Sequence, residues 1–384
     1  MSAKDEIFGF SGLPNLRYPN NIVDSDKKIF DTYLTKKIPN MEIKVLNNVL
    51  ASPYGIIYKK FSILRECTPF YFYPDDPYIP QFMERHINAG GKFFGGSFER
   101  QIRHFLLFKK IKVRDTCFWC SDQYSQYYMH WLSETLPRIY LLSLLGFDKP
   151  KVILPGPTMK NVNFIKQSLS LFFPGIDFTF TENQNIFEFR ELIWISQMGQ
   201  ASFQFNPSLM TIFRNFVRGK LKKNLNLQGK RIYISRRNAI CRKVINEDEV
   251  ERVLGRFGVE TIYFENYSFE EQIEICSQSE IIIGIHGAGL SNMIFLPEDS
   301  FVLEFQRRMP YSSCFYSLAN ALDLNYYYLF CEPDSEEVGG RKDNVNLYVD
   351  LRVLESLLES MVHTCETKKN IKFSRMENDQ KGYD

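Results

Sequence analysis

The sequence predicts an α/β protein of two domains, and three observations predict it. Its 384 residues suit two domains at ~100–200 residues each. From about residue 125 onward, short apolar runs alternate with helical patterns, which builds parallel sheets with helices on their faces. Within residues 231–306 the alternation is regular enough to read as a β-α-β-α-β-α-β half of a doubly wound sheet. The composition agrees: 44% hydrophobic and 24% charged residues suit packed cores. The 15% aromatic content adds buried aromatic strands or stacking surfaces.

Residues 1–40 are polar and poorly periodic and read as an extended arm. From Met41 to Cys120, apolar runs such as MEIKVL, GKFFGGSF and TCFWC are broken by Gly, Pro and Asp, which predicts strands and hairpins. Ser125 to Leu145 reads as one long helix with a kink at Pro137. KVILP (151–155) is a buried strand, Asn161 to Phe172 a helix, ELIWIS (191–196) a strand and Asn206 to Leu221 a helix. The basic stretch KLKKNLNLQGK (220–230) is the expected linker. The domains expected are 1–225, including the arm, and 226–349, followed by a C-terminal helix and polar tail over 350–384.

The second domain opens with strand RIYIS (231–235). A helix follows from Asn246, which has cap chemistry, with Asp248 and Glu249 in the first turn and Gly258 after the end. VETIYF (259–264) is a strand, and Ser268 with Glu271 forms a capping box for the next helix. EIIIGI (280–285) is a continuous apolar strand, as expected when both faces are covered. HGAGLSN opens a helix ended by Pro297, FVLEFQ (301–306) is the next strand, and residues 350–362 form a final helix before a mobile polar tail.

Several classes are excluded. A net charge of +2 is too small for a phosphate-coating nucleic-acid binder. No apolar run reaches the ~18 residues of a membrane span. The start MSAKDEIFGF lacks the order of a secretory signal. The eight cysteines are scattered and read as free thiols in a reducing compartment, which predicts a cytoplasmic protein. Cys117 and Cys120 lack a second pair with zinc spacing and read as structural thiols.

The strongest chemical signal is EIIIGIHGAGLSN, residues 280–292. A buried strand delivers His286 to the carboxyl edge of the sheet, and Gly287, Ala288 and Gly289 let the backbone pass close to a ligand. A helix opening at Leu290, Ser291 and Asn292 aims free N–H groups at the same place, which suits phosphate. A tight turn without a ligand is the plainer alternative. No GxGxxG is present, so nothing specifies NAD. RIYISRR places Arg236 and Arg237 just past a strand end, with Arg242 and Lys243 close behind. Guanidinium forks there would clamp pyrophosphate, Arg236 first and Arg242 next; a solvated basic loop is the alternative.

In SQYYMHWLSETLPRIYLL, at ~100° per residue, His130, Glu134 and Arg138 fall within about 80° of one another. Trp131, Thr135, Leu136, Ile139 and Leu142 take the opposite arc. The stripe is either an exposed face with an ion pair or a carboxylate base partnered by a histidine. Glu304 is an acid inside an apolar strand; it either receives a ribose hydroxyl pair or forms a buried pair with an arginine. Asp24-Ser25-Asp26 has the DxD form of a metal motif but sits in the polar arm, and Asp75-Asp76 reads as a solvated turn. His86, His104 and His363 have no partner spacing, and Ser133 and Ser235 lack a nucleophile-elbow context.

These motifs together resemble glycosyltransferase family 61, in its bacterial capsular-polysaccharide-biosynthesis branch. The resemblance is carried by RIYISRRNAICRKVINEDE, by IGIHGAGLSNMIFLPEDSFVLEF and by YYMHWLSETLPRIYLL, about a quarter of the chain. It implies a GT-B-like architecture of two Rossmann-like doubly wound domains facing across a cleft, no metal or other cofactor, and inversion at the anomeric carbon. It implies a nucleotide-sugar donor against Arg236, Arg242, His286, Gly287 to Asn292 and Glu304, and an acidic base at Glu134 near His130. Arg138 and Tyr127 fall on the acceptor side, where Tyr127 departs from the Asn that bacterial relatives often carry.

The expected function is therefore inverting transfer of a sugar to a glycan, a lipid-linked or another hydroxyl acceptor in cell-surface polysaccharide biosynthesis. The expected place is the cytoplasm, including the inner face of the membrane, with no nucleic-acid partner. Two alternatives stay open: a non-catalytic nucleotide-sugar-binding scaffold, and a nucleotide-sugar epimerase or hydrolase of the same architecture.

Overall fold

Both sheets form where the sequence has its apolar runs. The computed structural model describes residues 6–8, 16–35, 41–51, 57–59, 62–64, 67, 109–121, 124–146, 150–182, 185–196, 204–221, 229–309, 312–338 and 342–381. GKFFGGSF, Asp75-Asp76, His86 and His104 lie outside the described residues. The chain divides into two units, one of residues 1–14 and 37–213 and one of 15–36 and 214–384.

The first unit holds β1 (Glu6–Phe8), β2 (Met41–Ala51), β3 (Ile57–Lys59), β4 (Ser62–Ile63), β5 (Lys109–Val113), β6 (Cys117–Trp119), β7 (Lys151–Leu154), β8 (Asp177–Phe180) and β9 (Asn185–Ile195). The sheet runs β4-β3-β2-β9-β6-β7-β8, with β1 on β2 and β5 on β9. β5, β6, β7 and β8 form parallel pairs, as the alternating pattern predicts. β1, β3 and β9 pair with β2 antiparallel. This sheet is therefore mixed and not purely doubly wound, because β1 to β4 enter as antiparallel strands. Its core packs Val49, Trp119, Ile153, Phe189, Leu192 and Trp194.

The second unit holds β10 (Lys230–Ile234), β11 (Val259–Ile262), β12 (Ser279–Ile285), β13 (Phe301–Arg307), β14 (Asn325–Pro333) and β15 (Leu347–Tyr348), in the order β11-β10-β12-β13-β14-β15. The first five strands are parallel and β15 is antiparallel. The chain steps from β10 out to β11, then crosses back to β12 on the other side. That reversal makes a topological switch point at the carboxyl ends of β10 and β12, the place where open α/β sheets bind ligands.

Local signals in this unit act mostly as read. The Ser268–Glu271 capping box opens helix Phe269–Ser277. Gly258 takes the left-handed φ of +69° after helix Glu247–Arg256. Asn246 differs: its side chain caps nothing, but bonds both the N–H and the C=O of Val349, a partner 103 residues away. Helix Cys314–Ala321 and β14 are additions that short apolar patterning did not mark. The final helix runs Leu351–Lys381, well past residue 362. Leu354, Leu358, Met361 and Cys365 seat it on the core with Ile281, Leu303 and Tyr327, while Glu366 and Lys369 pair with Arg231 and Glu280. No helix among the described residues is long and apolar enough to cross a membrane.

Residues 15–36 of the expected arm are part of this second unit. Phe30 is buried between Tyr316 and Tyr328, with ring centroids 5.1 Å from each. Asp26 of the DxD-like turn is buried, and its carboxylate accepts from Arg308 at 2.5 Å and from the Tyr328 hydroxyl at 2.7 Å. The arm is thus anchored by buried polar and aromatic contacts. The contact boundary falls within helix Pro207–Lys220, upstream of the basic stretch read as the linker.

Candidate functional site

The loop leaving β10 is built by two arginines with different work. Arg237 pairs with Glu247, Asp248 and Glu251 on the following helix. Ser235 and Tyr233 also donate to Glu247, so this strand end is tied to the helix and Arg237 is structural. Arg236 turns back, donating from Nε to the Arg242 carbonyl and from Nη2 to the Cys241 carbonyl, both at 3.2 Å. Burial holds its guanidinium below the usual arginine range, and Arg242 adds to the effect. Arg236 therefore sets the shape of the loop that presents Arg242. Arg242 itself has a left-handed φ of +58°, unusual for a side-chain-bearing residue.

Facing this loop, β12 delivers His286 as read, and Gly287 follows with φ −179°, extended backbone that any residue adopts. The need for glycine is steric. A Cβ at Gly287 would meet Arg236 Nη1 at 3.1 Å and Cδ at 3.2 Å, and one at Gly289 would meet Ile234 at 3.1 Å. These glycines make room for the side chains of Arg236 and Ile234. A 3₁₀ helix, Ala288–Phe295, replaces the expected α-helix. Leu290, Ser291 and Asn292 are buried, and Asn292 donates to the Gly289 carbonyl, so the second half of HGAGLSN braces the turn from inside.

Glu304 is completely buried, at 0% exposure. Its Oε1 lies 2.5 Å from His286 Nδ1, and its Oε2 accepts from the Tyr326 hydroxyl at 2.5 Å. A buried carboxylate persists only with such partners. Both oxygens are engaged, so Glu304 forms the buried-pair alternative of the sequence reading, with His286 in place of an arginine. The ring of Phe315 packs edge-on at 5.1 Å, and the Cys314 thiol bonds the imidazole. Burial by itself would lower the His286 pKa, but Cys314 and Glu304 overcome it and push it up to about 10. His286 is thus an imidazolium at neutral pH.

A small, half-open pocket lies at the carboxyl ends of β12 and β13. His286, Arg242, Arg307 and Lys342 line it together with Gln306 and Ser312. No carboxylate is among the described residues that line it. His286 is paired with Glu304, and Arg307 bonds the Glu336 carboxylate and the Lys342 carbonyl, so the excess of positive charge that suits an anion rests on Arg242 and Lys342. Sequence reading found Arg242 and His286. It missed Arg307 and Lys342, which no motif contains, and Gln306, the last residue of FVLEFQ.

In the first unit the predicted long helix is continuous over 128–144 but contains a π turn, Trp131–Thr135, where the Leu136 N–H bonds the Trp131 carbonyl. Pro137 has no N–H to bond the Ser133 carbonyl, and the wider turn accommodates that loss upstream of the expected kink. His130, Glu134 and Arg138 do come together, but the stripe is not an exposed face: Glu134 is 4% and Arg138 1% exposed. His130 Nδ1 lies 3.2 Å from Glu134 Oε2, and Arg138 Nε donates to the Glu134 main-chain carbonyl at 3.1 Å. Tyr127, at the helix start, is 57% exposed, and the Tyr124 ring packs tilted against the His130 ring, centroids 5.3 Å apart. A carboxylate beside a histidine inside a π turn can accept a proton, and π turns recur at functional sites.

Comparison with known proteins matches residues 128–303, just under half of the chain, to the family Glycosyltransferase 61. The match starts at the first residue of the π-containing helix and ends one residue before Glu304. The family resemblance read from the motifs is borne out over this span. Curated relatives are EGF domain-specific O-linked N-acetylglucosamine transferases. That of Drosophila melanogaster is 30% identical over 127 residues, covering 32% of this chain and 24% of the relative. That of Gallus gallus is 29% identical over 126 residues, covering 30% and 23%. That of Mus musculus is 29% identical over 131 residues, covering 32% and 24%. The chain spans about a quarter of the length of these relatives.

Proposed function

We propose that this chain, a glycosyltransferase family 61 relative over residues 128–303, transfers a sugar from a nucleotide-activated donor to a hydroxyl acceptor. The observation that carries this reading is the pocket at the carboxyl end of the second unit's sheet, lined by Arg242, Lys342, Arg307 and by His286, whose pKa is pushed up to about 10. Arg242, His286, Arg307 and Lys342 would stabilise the nucleoside diphosphate as it departs, where negative charge develops. Glu134, with His130 beside it, is the proposed base for the acceptor hydroxyl, and Arg138 positions it through its main chain. Inversion in one step, a GT-B-like architecture and independence of a metal are parts of the same proposal. The relatives' names describe O-linked transfer of N-acetylglucosamine to EGF domains. N-acetylglucosamine is accordingly the first sugar to test, and protein hydroxyls join glycan and lipid-linked acceptors, including those of cell-surface polysaccharide.

The test is a thermal-shift panel of nucleoside diphosphates and nucleotide sugars, followed by transfer assays with and without a chelator. A bound donor at about 100 times its dissociation constant should add ~2.7 kcal/mol of stability. Transfer should survive chelation; activity lost to the chelator and restored by manganese or magnesium would end the metal-free proposal. Binding without turnover would favour the scaffold, and sugar release without an acceptor the hydrolase.

Gly287→Val tests the donor loop. The added methyls would collide with the Arg236 guanidinium and displace the 236–242 loop that presents Arg242. The expected loss of nucleoside diphosphate affinity is roughly tenfold to a hundredfold, the ~1.5–3 kcal/mol of one charged hydrogen bond. Calorimetry on a folded variant with unchanged affinity would show that this loop has no part in binding.

A further inference from the structure

Gln306 is the penultimate residue of β13, two residues after Glu304, and so lies on the same side of the strand. Glu304 is occupied by His286 and Tyr326, whereas Gln306 is only half occupied. It is 2% exposed and lines the cationic pocket. Its Oε1 accepts the backbone N–H of Ser312 at 2.9 Å. A backbone N–H can only donate, so the amide oxygen must face Ser312 and the NH₂ must face away from it. That removes the usual ambiguity of a side-chain amide. Nε2 then has no hydrogen-bond partner among the described residues. Leaving such a donor buried and unpaired costs ~1–3 kcal/mol.

A second buried donor without a partner, Arg242 Nε, lines the same pocket from a different segment, the loop after β10. Two separate segments thus bring residues with buried, unpaired donors to the cavity that His286, Arg307 and Lys342 also line. The missing partner is acceptor-rich and anionic. Cations attract such a group from any direction, while a fixed amide N–H sets where one of its oxygens must sit.

Resting on the donor reading above, we infer that the Nε2 amide of Gln306 donates a hydrogen bond to a phosphate oxygen of the donor, with the Ser312 N–H as the group that aims it. Gln306 is a residue outside every motif, and it adds direction to a site that otherwise selects by charge alone.

The experiment labels the full chain with [¹⁵N]glutamine and follows the Gln306 side-chain amide, assigned by its absence from Gln306→Glu. Nucleoside diphosphate, inorganic pyrophosphate and the uncharged nucleoside are titrated separately. Both phosphate ligands should shift the Gln306 amide and the nucleoside should not. Gln306→Glu keeps an acceptor for Ser312 but turns the donor into an anion, so diphosphate affinity should fall by roughly tenfold to a hundredfold, the range of a charged hydrogen bond. A wild-type chain that binds diphosphate with an unmoved Gln306 amide, or moves it with nucleoside alone, would overturn the inference. So would a folded Gln306→Glu that binds within threefold of wild type. If the variant fails to fold, the wild-type titrations decide, with the amide assigned by its absence from Gln306→Met. A wild-type chain that binds none of the three ligands overturns the donor reading itself, and no variant is needed to see that.

Discussion

Glu134→Gln should lower sugar transfer by ~10²–10⁴-fold, the usual cost of losing a general base, while donor affinity and fold survive. Glutamine keeps the size of the side chain and one acceptor oxygen for His130, now 3.2 Å from Glu134 Oε2, but it takes up a proton very poorly. The structure also makes the fold control favourable. Arg138 Nε bonds the Glu134 main-chain carbonyl, which the substitution leaves untouched. The burial of Glu134 removes the surface ion-pair explanation, under which the variant would keep its turnover and shift stability by no more than ~1 kcal/mol. His130→Ala should lose activity less steeply, because it removes an orienting group and leaves the carboxylate. Steady-state transfer rates beside a urea melt of each variant decide the matter. Normal turnover in folded Glu134→Gln would assign the base to another residue.

Glu304→Gln has the second large expected effect, on stability and on pH dependence together. Removing one partner of a buried ion pair typically costs ~3–5 kcal/mol. His286 has a folded-state pKa of about 10 against an ordinary 6.5, so the folded protein holds a proton there that the unfolded chain has released. Stability from this proton is fully present below about pH 6.5 and is lost as pH rises toward about 10. Wild-type stability should therefore decline across that alkaline window, and the decline should flatten in Glu304→Gln, where a neutral amide no longer favours the imidazolium. The groups facing His286 are Glu304 on β13, with Tyr326 behind it on β14, and Cys314 and Phe315 on the helix 314–321. A Glu304→Gln protein that keeps the full alkaline slope would assign the effect to Cys314. Urea unfolding at a series of pH values reads both quantities, and donor affinity at pH 8 should fall with the charge on His286.

The sequence alone determined those features whose cause is local. The parallel strands β10 to β13 were legible because a strand covered on both faces must be apolar throughout, and EIIIGI is. The Ser268–Glu271 box was legible because both partners lie within one helical turn. His286 at a strand end and the His130–Glu134 spacing were legible for the same short-range reason. The tertiary structure alone decided what each of these groups touches. Glu304 could have met a ligand, an arginine or a histidine, and only the adjacency of β12, β13 and β14 gives it His286 and Tyr326. Gly287 is glycine because of a guanidinium that arrives from residue 236, not because of its own dihedral angles. Asn246 has the chemistry of a cap, yet Val349 claims it. Asp26 has the form of a metal ligand, yet it meets Arg308 across 282 residues of chain. A polar side chain carries capacity to bond but no preferred partner. Pattern within a few residues can therefore show that such a group is placed at a strand end or helix face, while its partner is fixed only when the sheet order brings distant segments to the same edge.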